Sequence, residues 1–319
     1  MGKAVNRAPL LGALLAAAGL LSATVSVPAA DPNPAPAPVQ LKQQTLDAFD
    51  RYVRLTEARH DEELRRGTPF LWVDSLPEPQ RRAAYDELRG GQVRMERLET
   101  RENGQPIKCP NGIIHHWVGL VFIPGATLSQ TLRLLQDYDN HATYYKPDVQ
   151  RSKILEHRGN DFKIFLRFRR KKIITVVLNT EHEVHYFPID ATHAHSRSRT
   201  TRIAEVEDHD TPGEREKPVG SDGGYLWRMD TYWRFLEQDG GTYVQCETLS
   251  LTRDIPVTLR WLISPFVTSI PRETLAATLN ATRNALAHKP AAQKLRPCGS
   301  ALRAAADAFA SSPRDLGAR

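Results

Sequence analysis

The strongest constraint on this chain lies between Val149 and Asp254. Six strand-length segments follow one another there: Val149–His157, Asp161–Arg170, Ile173–Phe187, His195–Glu207, Tyr225–Gln238 and Thr242–Asp254. Most joints carry turn chemistry, as at Arg158-Gly159-Asn160 and Gln238-Asp239-Gly240-Gly241. Phe162, Ile164, Leu166 and Phe168 alternate with polar residues, and Tyr225, Trp227, Met229, Thr231, Trp233 and Phe235 do the same. A two-residue period sends successive side chains to opposite faces. The pattern therefore predicts an antiparallel sheet with one covered face and one wet face.

The flanks add helices. Ile113–Phe122 reads as a further strand that ends at Pro124-Gly125. Thr127 is placed to cap a helix through Leu128, Leu132 and Leu135. A short helical or looped piece with Tyr138, His141, Tyr144 and Tyr145 ends at Lys146-Pro147. Beyond Pro256, Leu259, Leu262 and Ile263 precede Pro265, which is expected to interrupt a helix. A longer helix is expected to open at Ser269 with Pro271 in its first turn, carrying Leu275, Leu279, Thr282 and Leu286 on one stripe. Before the strands, residues 41–105 read as a helical extension. Leu46, Phe49 and Val53 recur at helical steps, Gly67-Thr68-Pro69 breaks that helix, and a second runs from Ser75 and Pro77 to Gly90-Gly91.

The N-terminus has the form of an export signal. Lys3 and Arg7 form a basic start, Leu10–Leu21 an apolar core, and Val27-Pro28-Ala29 fits the small-residue cleavage rule. An uncleaved membrane anchor is the alternative. The organisation expected is a signal peptide at 1–29, a Pro/Ala linker at 30–40, the helical extension at 41–105, a sheet-and-helix body at 106–288 and an Ala/Pro-rich tail at 289–319. Export implies a periplasmic or secreted protein. The full chain carries a formal charge of +6; Lys3 and Arg7 fall in the leader, which has no acids, leaving 41 bases against 37 acids, or +4. So small a surplus, in an exported chain, argues against nucleic acid. Arg167-Phe168-Arg169-Arg170-Lys171-Lys172 is a local basic run. It reads as a solvated hairpin tip, or as a peripheral contact with anionic lipid through Arg169, Arg170, Lys171 and Lys172.

Chemistry-bearing motifs are sparse. Cys246 lies in a strand pattern and reads as a small buried residue, whereas Cys109 and Cys298 sit beside proline and are open to pairing. Glu181-His182-Glu183-Val184-His185 lacks the helical spacing of a zinc-peptidase motif. His193 and His195 share a strand face, but a third ligand cannot be named, so no metal or other cofactor is expected. No nucleophile elbow, phosphate loop or dinucleotide fingerprint is present. Ser196-Arg197-Ser198-Arg199-Thr200-Thr201-Arg202 is polar on both faces. An inward Arg199 or Arg202 would need a carboxylate from Glu181, Glu183 or Asp230, or would itself anchor a ligand carboxylate or phosphate.

Three stretches carry a resemblance: His116-Trp117-Val118-Gly119-Leu120-Val121-Phe122-Ile123-Pro124-Gly125 leading to Asp137-Tyr138, Tyr232-Trp233-Arg234-Phe235 leading to Leu249-Ser250-Leu251-Thr252-Arg253, and the final helix Pro271–Leu286. Over about residues 113–287 the order strand, two short helices, six strands, long helix resembles the START-like superfamily, also described as SRPBCC, polyketide cyclase or Bet v 1-like. The resemblance implies an α+β helix-grip fold, a curved antiparallel sheet wrapped around a long C-terminal helix, with the extension outside the pattern. It also implies an elongated apolar cavity. Its lining would be Phe165, Phe168, Trp227, Met229, Trp233, Phe235, Leu275 and Leu279, with Arg199 as a polar anchor; the same stripe also reads as plain core. The function expected is an exported binding or carrier protein for a lipid or other hydrophobic small molecule in the cell envelope. The alternatives are a cyclase- or hydrolase-type enzyme, for which Asp137, Tyr138, His141 and Tyr145 are the candidate polar groups, and a non-enzymatic interaction module.

Overall fold

The computed structural model describes residues 38–171, 174–254 and 260–287, the side chains of 260–268 excepted. The leader, most of the linker, the tail, Lys172 and Cys298 lie outside the described residues. In chain order the strands are β1 (Val39–Gln40), β2 (Arg94–Arg97), β3 (Arg101–Glu102), β4 (Gln105–Pro106), β5 (Gly112–Pro124), β6 (Val149–Arg158), β7 (Asp161–Lys171), β8 (Thr175–Pro188), β9 (His193–Glu207), β10 (Arg215–Glu216), β11 (Ser221–Asp222), β12 (Arg228–Gln238) and β13 (Gly241–Arg253). The helices are α1 (Gln43–Arg66), α2 (Gln80–Arg89), α3 (Leu128–Gln136), α4 (His141–Tyr144) and α5 (Arg260–Ala287).

Turn and cap chemistry places these elements where the sequence predicts them. Gly67 ends α1 in the left-handed region at φ 75°, its N–H turned back to Glu63 and Leu64. Thr127 starts α3 with a reciprocal cap: its hydroxyl accepts from the Gln130 N–H (3.2 Å), and the Gln130 side chain accepts from the Thr127 N–H (3.0 Å). The main sheet runs in the order β2-β5-β13-β12-β9-β8-β7-β6, with β10 on β9. All its pairings are antiparallel. α5 crosses one face, packing chiefly on β5. This is the helix-grip arrangement. α5 is one helix through Pro265 and Pro271, where the sequence leads one to expect a break at Pro265. Proline's fixed φ is itself helical, so the helix can continue past it at the loss of one hydrogen bond.

The sheet is not wet on one side. Val121, Ile123, Phe235, Val244 and Cys246 pack with Leu275 and Leu279 of α5. On the opposite face Leu120, Phe122, Leu236 and Tyr243 pack with α2 and the Phe70–Val73 plug. Tyr232, Leu249 and Leu251 pack there with Phe49, Tyr52 and Val53 of α1. The extension thus covers the face that alternation alone assigns to water, and residues 94–97, in a span read as helical, add strand β2 to the sheet edge. Gly119 lets α5 approach β5, since a Cβ there would lie 2.6 Å from a Leu279 methyl.

Polar groups fasten the outer face. Glu247 of β13 is buried and is paired by His60 Nε2 (3.0 Å), His116 Nε2 (2.7 Å) and the Arg59 guanidinium. Burial works against its charge, but His60, His116 and Arg59 outweigh that and hold its carboxyl well below the usual range. The Thr100 N–H donates to Tyr52 Oη (2.7 Å), which lies 2.9 Å from His116 Nδ1. Arg234 donates to the Phe70 carbonyl (2.7 Å) and pairs with Glu63, and the Trp72 N–H donates to Gln245 Oε1 (2.6 Å). Removing one member of a buried ionic network strands the others, at about 3–5 kcal/mol. Glu247→Ala should therefore lower the unfolding free energy in urea by about that amount. Arg65→Ala, which breaks an exposed pair with Glu62, should leave the midpoint almost unchanged. Equal small effects would show that the network does not hold the extension.

Candidate functional site

Strand register sorts the inner face, the one toward α5, into rows. Nearest α3 the row is Ala194, Phe235, Val244 and Val121 on β9, β12, β13 and β5. The next row is Tyr186, Ser196, Trp233, Cys246 and Gly119, starting on β8. Then come Val184, Ser198, Thr231, Thr248 and Trp117, and finally His182, Thr200, Met229, Ser250 and His115. Thr200 and Met229 are joined by a bond from the Met229 N–H to Thr200 Oγ1 (3.0 Å). The face is graded, with hydrocarbon at one end and hydroxyl and imidazole at the other.

The sequence-proposed lining divides. Trp233, Phe235, Leu275, Leu279 and Phe168 belong to or pack against the cluster under α5. Met229 shares the parity of Trp233 and Phe235 and is half-buried. Three candidates are elsewhere. Phe165 has the parity opposite to Phe162, Ile164 and Leu166, so it lies on the other face of β7. Trp227 packs with Phe49, Tyr52 and Leu249, its Nε1–H donating to Asp222 Oδ1 (3.1 Å). Arg199 stands exposed on the α1 side, 3.9 Å from Glu57 and in register with Asp230. Strict alternation along β9 explains this: Ser196, Ser198 and Thr200 turn inward, while Arg197 turns outward to pair with Asp61.

The other candidates are bound within the fold. Tyr138 Oη lies 2.8 Å from Tyr186 Oη, Tyr145 Oη lies 3.1 Å from Thr282 Oγ1, and His141 Nε2 donates to the Leu135 carbonyl (3.0 Å). Tyr144 donates to Asp137. His193 bonds Asp190, and His195 stacks on Phe187. In the basic run Arg167 is buried against Glu214, Arg169 pairs with Asp210, and Arg170 pairs with Asp148 and Glu273. A hollow of about 380 Å³ between Gly125–Thr127, Thr192 and the β12–β13 turn is separate; Glu237 there accepts the Leu128 N–H at the start of α3 (2.6 Å).

The missed residues are His115 and His182, each 3% exposed. His115 stands beside His116 and His182 in the Glu181–His185 run, but nothing local says which face they take. His182 Nε2 lies 2.8 Å from Thr180 Oγ1, and His115 Nε2 lies 3.1 Å from Thr252 Oγ1. Burial pushes both imidazoles, and that of His141, down to about 4. Between pH 6.5 and 4 the unfolded chain then binds protons that the fold rejects. Stability from these three is full above pH 6.5 and is lost as pH falls toward 4. His182→Phe should flatten the acid slope by at most about 1.4 kcal/mol per pH unit, read from urea unfolding across that window. A slope equal to wild type would refute a buried neutral imidazole.

No family model matches the chain, and no curated protein matches it. Solved structures do. A STAR-related lipid transfer protein from Xanthomonas axonopodis is 17% identical at a TM-score of 0.36, covering 59% of this chain and 98% of its own. A Streptomyces aromatase/cyclase is 13% identical at 0.36, covering 55% and 94%, and a START superfamily protein from Mycobacterium smegmatis is 13% identical at 0.34, covering 55% and 97%. At these values the ligands and reactions of those proteins are not carried over, and the fold assignment rests on strand order and the place of α5. On those two features the chain has a helix-grip fold.

Proposed function

We propose that this chain is an exported binding or carrier protein for a lipid or other hydrophobic small molecule, which lodges between the concave sheet face and α5. One observation carries the reading. On the outer face of the two central strands β5 and β13, under α1 and α2, Leu120, Tyr243, Leu249 and Leu251 are 0% exposed. On the inner face Trp117, Phe168 and Trp233 remain only half-buried although they point at α5. Large apolar surface left partly accessible inside a helix-covered sheet marks a seat for apolar cargo. The groups an enzyme would use, Tyr138, His141 and Tyr145, are engaged within the fold.

Export to the cell envelope is supported by the leader sequence 1–29. The ion pairs of Arg169 and Arg170 count against extending the reading to a lipid surface gripped by Arg169, Arg170, Lys171 and Lys172. Deleting residues 2–29 should trap a C-terminally tagged chain in the cytoplasm of a bacterial host, whereas the full chain reaches the periplasm or medium. Retention of both forms inside would remove the envelope from the proposal.

Binding is tested with an anthroyloxy-labelled fatty acid. Trp233→Ala and Phe168→Ala each remove aromatic surface from the seat and should raise Kd by about tenfold or more. Phe165→Ala, on the opposite face, should leave Kd near the wild-type value. Binding that is indifferent to the inner pair, or lost equally with Phe165→Ala, would sink the reading.

A further inference from the structure

The geometry points to a cargo whose polar end is uncharged and carries hydroxyl groups, received by Nδ1 of His115 and Nδ1 of His182 and by the hydroxyls between them; this rests on the binding reading above. The belt spans five strands: His182 on β8, Thr200 on β9, Met229 on β12, Ser250 on β13 and His115 on β5. Ser198, Thr231 and Thr248 form the row beside it.

The hydrogen bonds set the tautomer of each histidine. Thr180 Oγ1 gives its own proton to the Leu166 carbonyl (3.0 Å), so it can only accept from His182 Nε2. Thr252 Oγ1 gives its proton to the Arg253 carbonyl (3.3 Å), so it accepts from His115 Nε2. In both rings Nε2 holds the proton and Nδ1 keeps a lone pair with no partner. Ser196 Oγ, 1% exposed as a residue, likewise has none. A buried polar atom without a partner costs about 1–3 kcal/mol, so Ser196 Oγ invites a bond, and the two imidazole Nδ1 atoms, which the protein gives no donor, add acceptors on the same face.

The demand is for neutral donors. Among the described residues the belt and the row beside it hold no Asp, Glu, Lys or Arg on β8, β9, β12, β13 or β5. A carboxylate or phosphate there would face lone pairs without a buried cation to match it. Of the inward cations, Arg97 is exposed on the edge strand β2 beyond Trp117, and Arg170 of β7 is paired with Asp148 and Glu273. A hydroxyl serves both needs, donating to imidazole Nδ1 and accepting from serine or threonine. The alkyl or aromatic remainder would then run along Trp233 and Phe168 toward the apolar end.

Four probes with one tail and different heads test this: pyrenedecanol, pyrenedecanoic acid, pyrenedecyl phosphate and headless decylpyrene, each titrated against the mature full-length protein. Wild type should bind the alcohol about tenfold tighter than the acid or the phosphate, the value of one buried hydrogen bond against one buried charge. His115→Phe or His182→Phe, whichever imidazole the single hydroxyl reaches, should weaken the alcohol by about fivefold to tenfold while both leave decylpyrene within about twofold, which also reports that the variants fold. Asn in place of Phe at that same histidine, which keeps an acceptor near the Nδ1 position, should restore most of the loss. Preference for the acid or the phosphate, or an alcohol affinity that neither Phe variant moves, overturns the proposal while decylpyrene binding keeps the carrier reading intact. If no probe binds wild type, the carrier reading falls and this proposal with it. If the Phe variants also lose decylpyrene, the wild-type ranking of heads and the Asn variants of the two histidines decide.

Discussion

Strand β13 is buried on both faces along nearly its whole length, and the rest of the molecule is arranged around that fact. Its inner side chains meet α5, and its outer ones include Glu247, a carboxylate placed where water cannot reach it. An ion buried alone would cost several kcal/mol, so partners must be brought to it. Arg59 and His60 come from α1 and His116 from β5. Meeting that demand sets where α1 lies, and the helix's apolar stripe then closes over Leu249 and Leu251. The extension is built into the sheet's outer layer.

The two layers are finished differently. Outside, aliphatic and aromatic side chains interlock and their polar neighbours pair with each other or with backbone. Inside, the end near α3 is equally dense, with Phe235, Val244 and Leu279 fully buried. Beyond it the face keeps the half-buried Trp117, Phe168 and Trp233, and Ser196 Oγ is buried without a partner. A sheet that only needed to be stable would fill that end with hydrocarbon, because unmatched polar groups weaken a core. Such locally costly arrangements are expected where a fold receives something.

Much of the fold could be read in advance. The strands from Val149 to Arg253 were readable because alternation and turn residues act over a few positions, and the caps at Thr127 and Gly67 rest on local hydrogen bonding. The site was less readable. Phe165, Trp227 and Arg199 sit in alternating patterns as convincing as those of Phe168, Met229 and Trp233, yet they face the other way. Periodicity says which residues share a face, and it says nothing of which face meets α5. That ambiguity grows when both faces are covered, because the usual contrast of apolar against polar then fades. His115, His182 and Glu247 look like surface polar residues for the same reason.

By itself the amino-acid sequence determined the element types, most of their boundaries, the antiparallel order and the final helix, since each follows from short-range sterics and hydrogen bonding. Tertiary structure alone decided that α1 and α2 cover the outer face, that α5 runs unbroken through Pro265, and that two neutral histidines line the inner face with hydroxyls between them. Those outcomes depend on which side chains meet across more than a hundred residues of chain. Such meetings are settled by burial and by the pairing of charges, neither of which leaves a local trace.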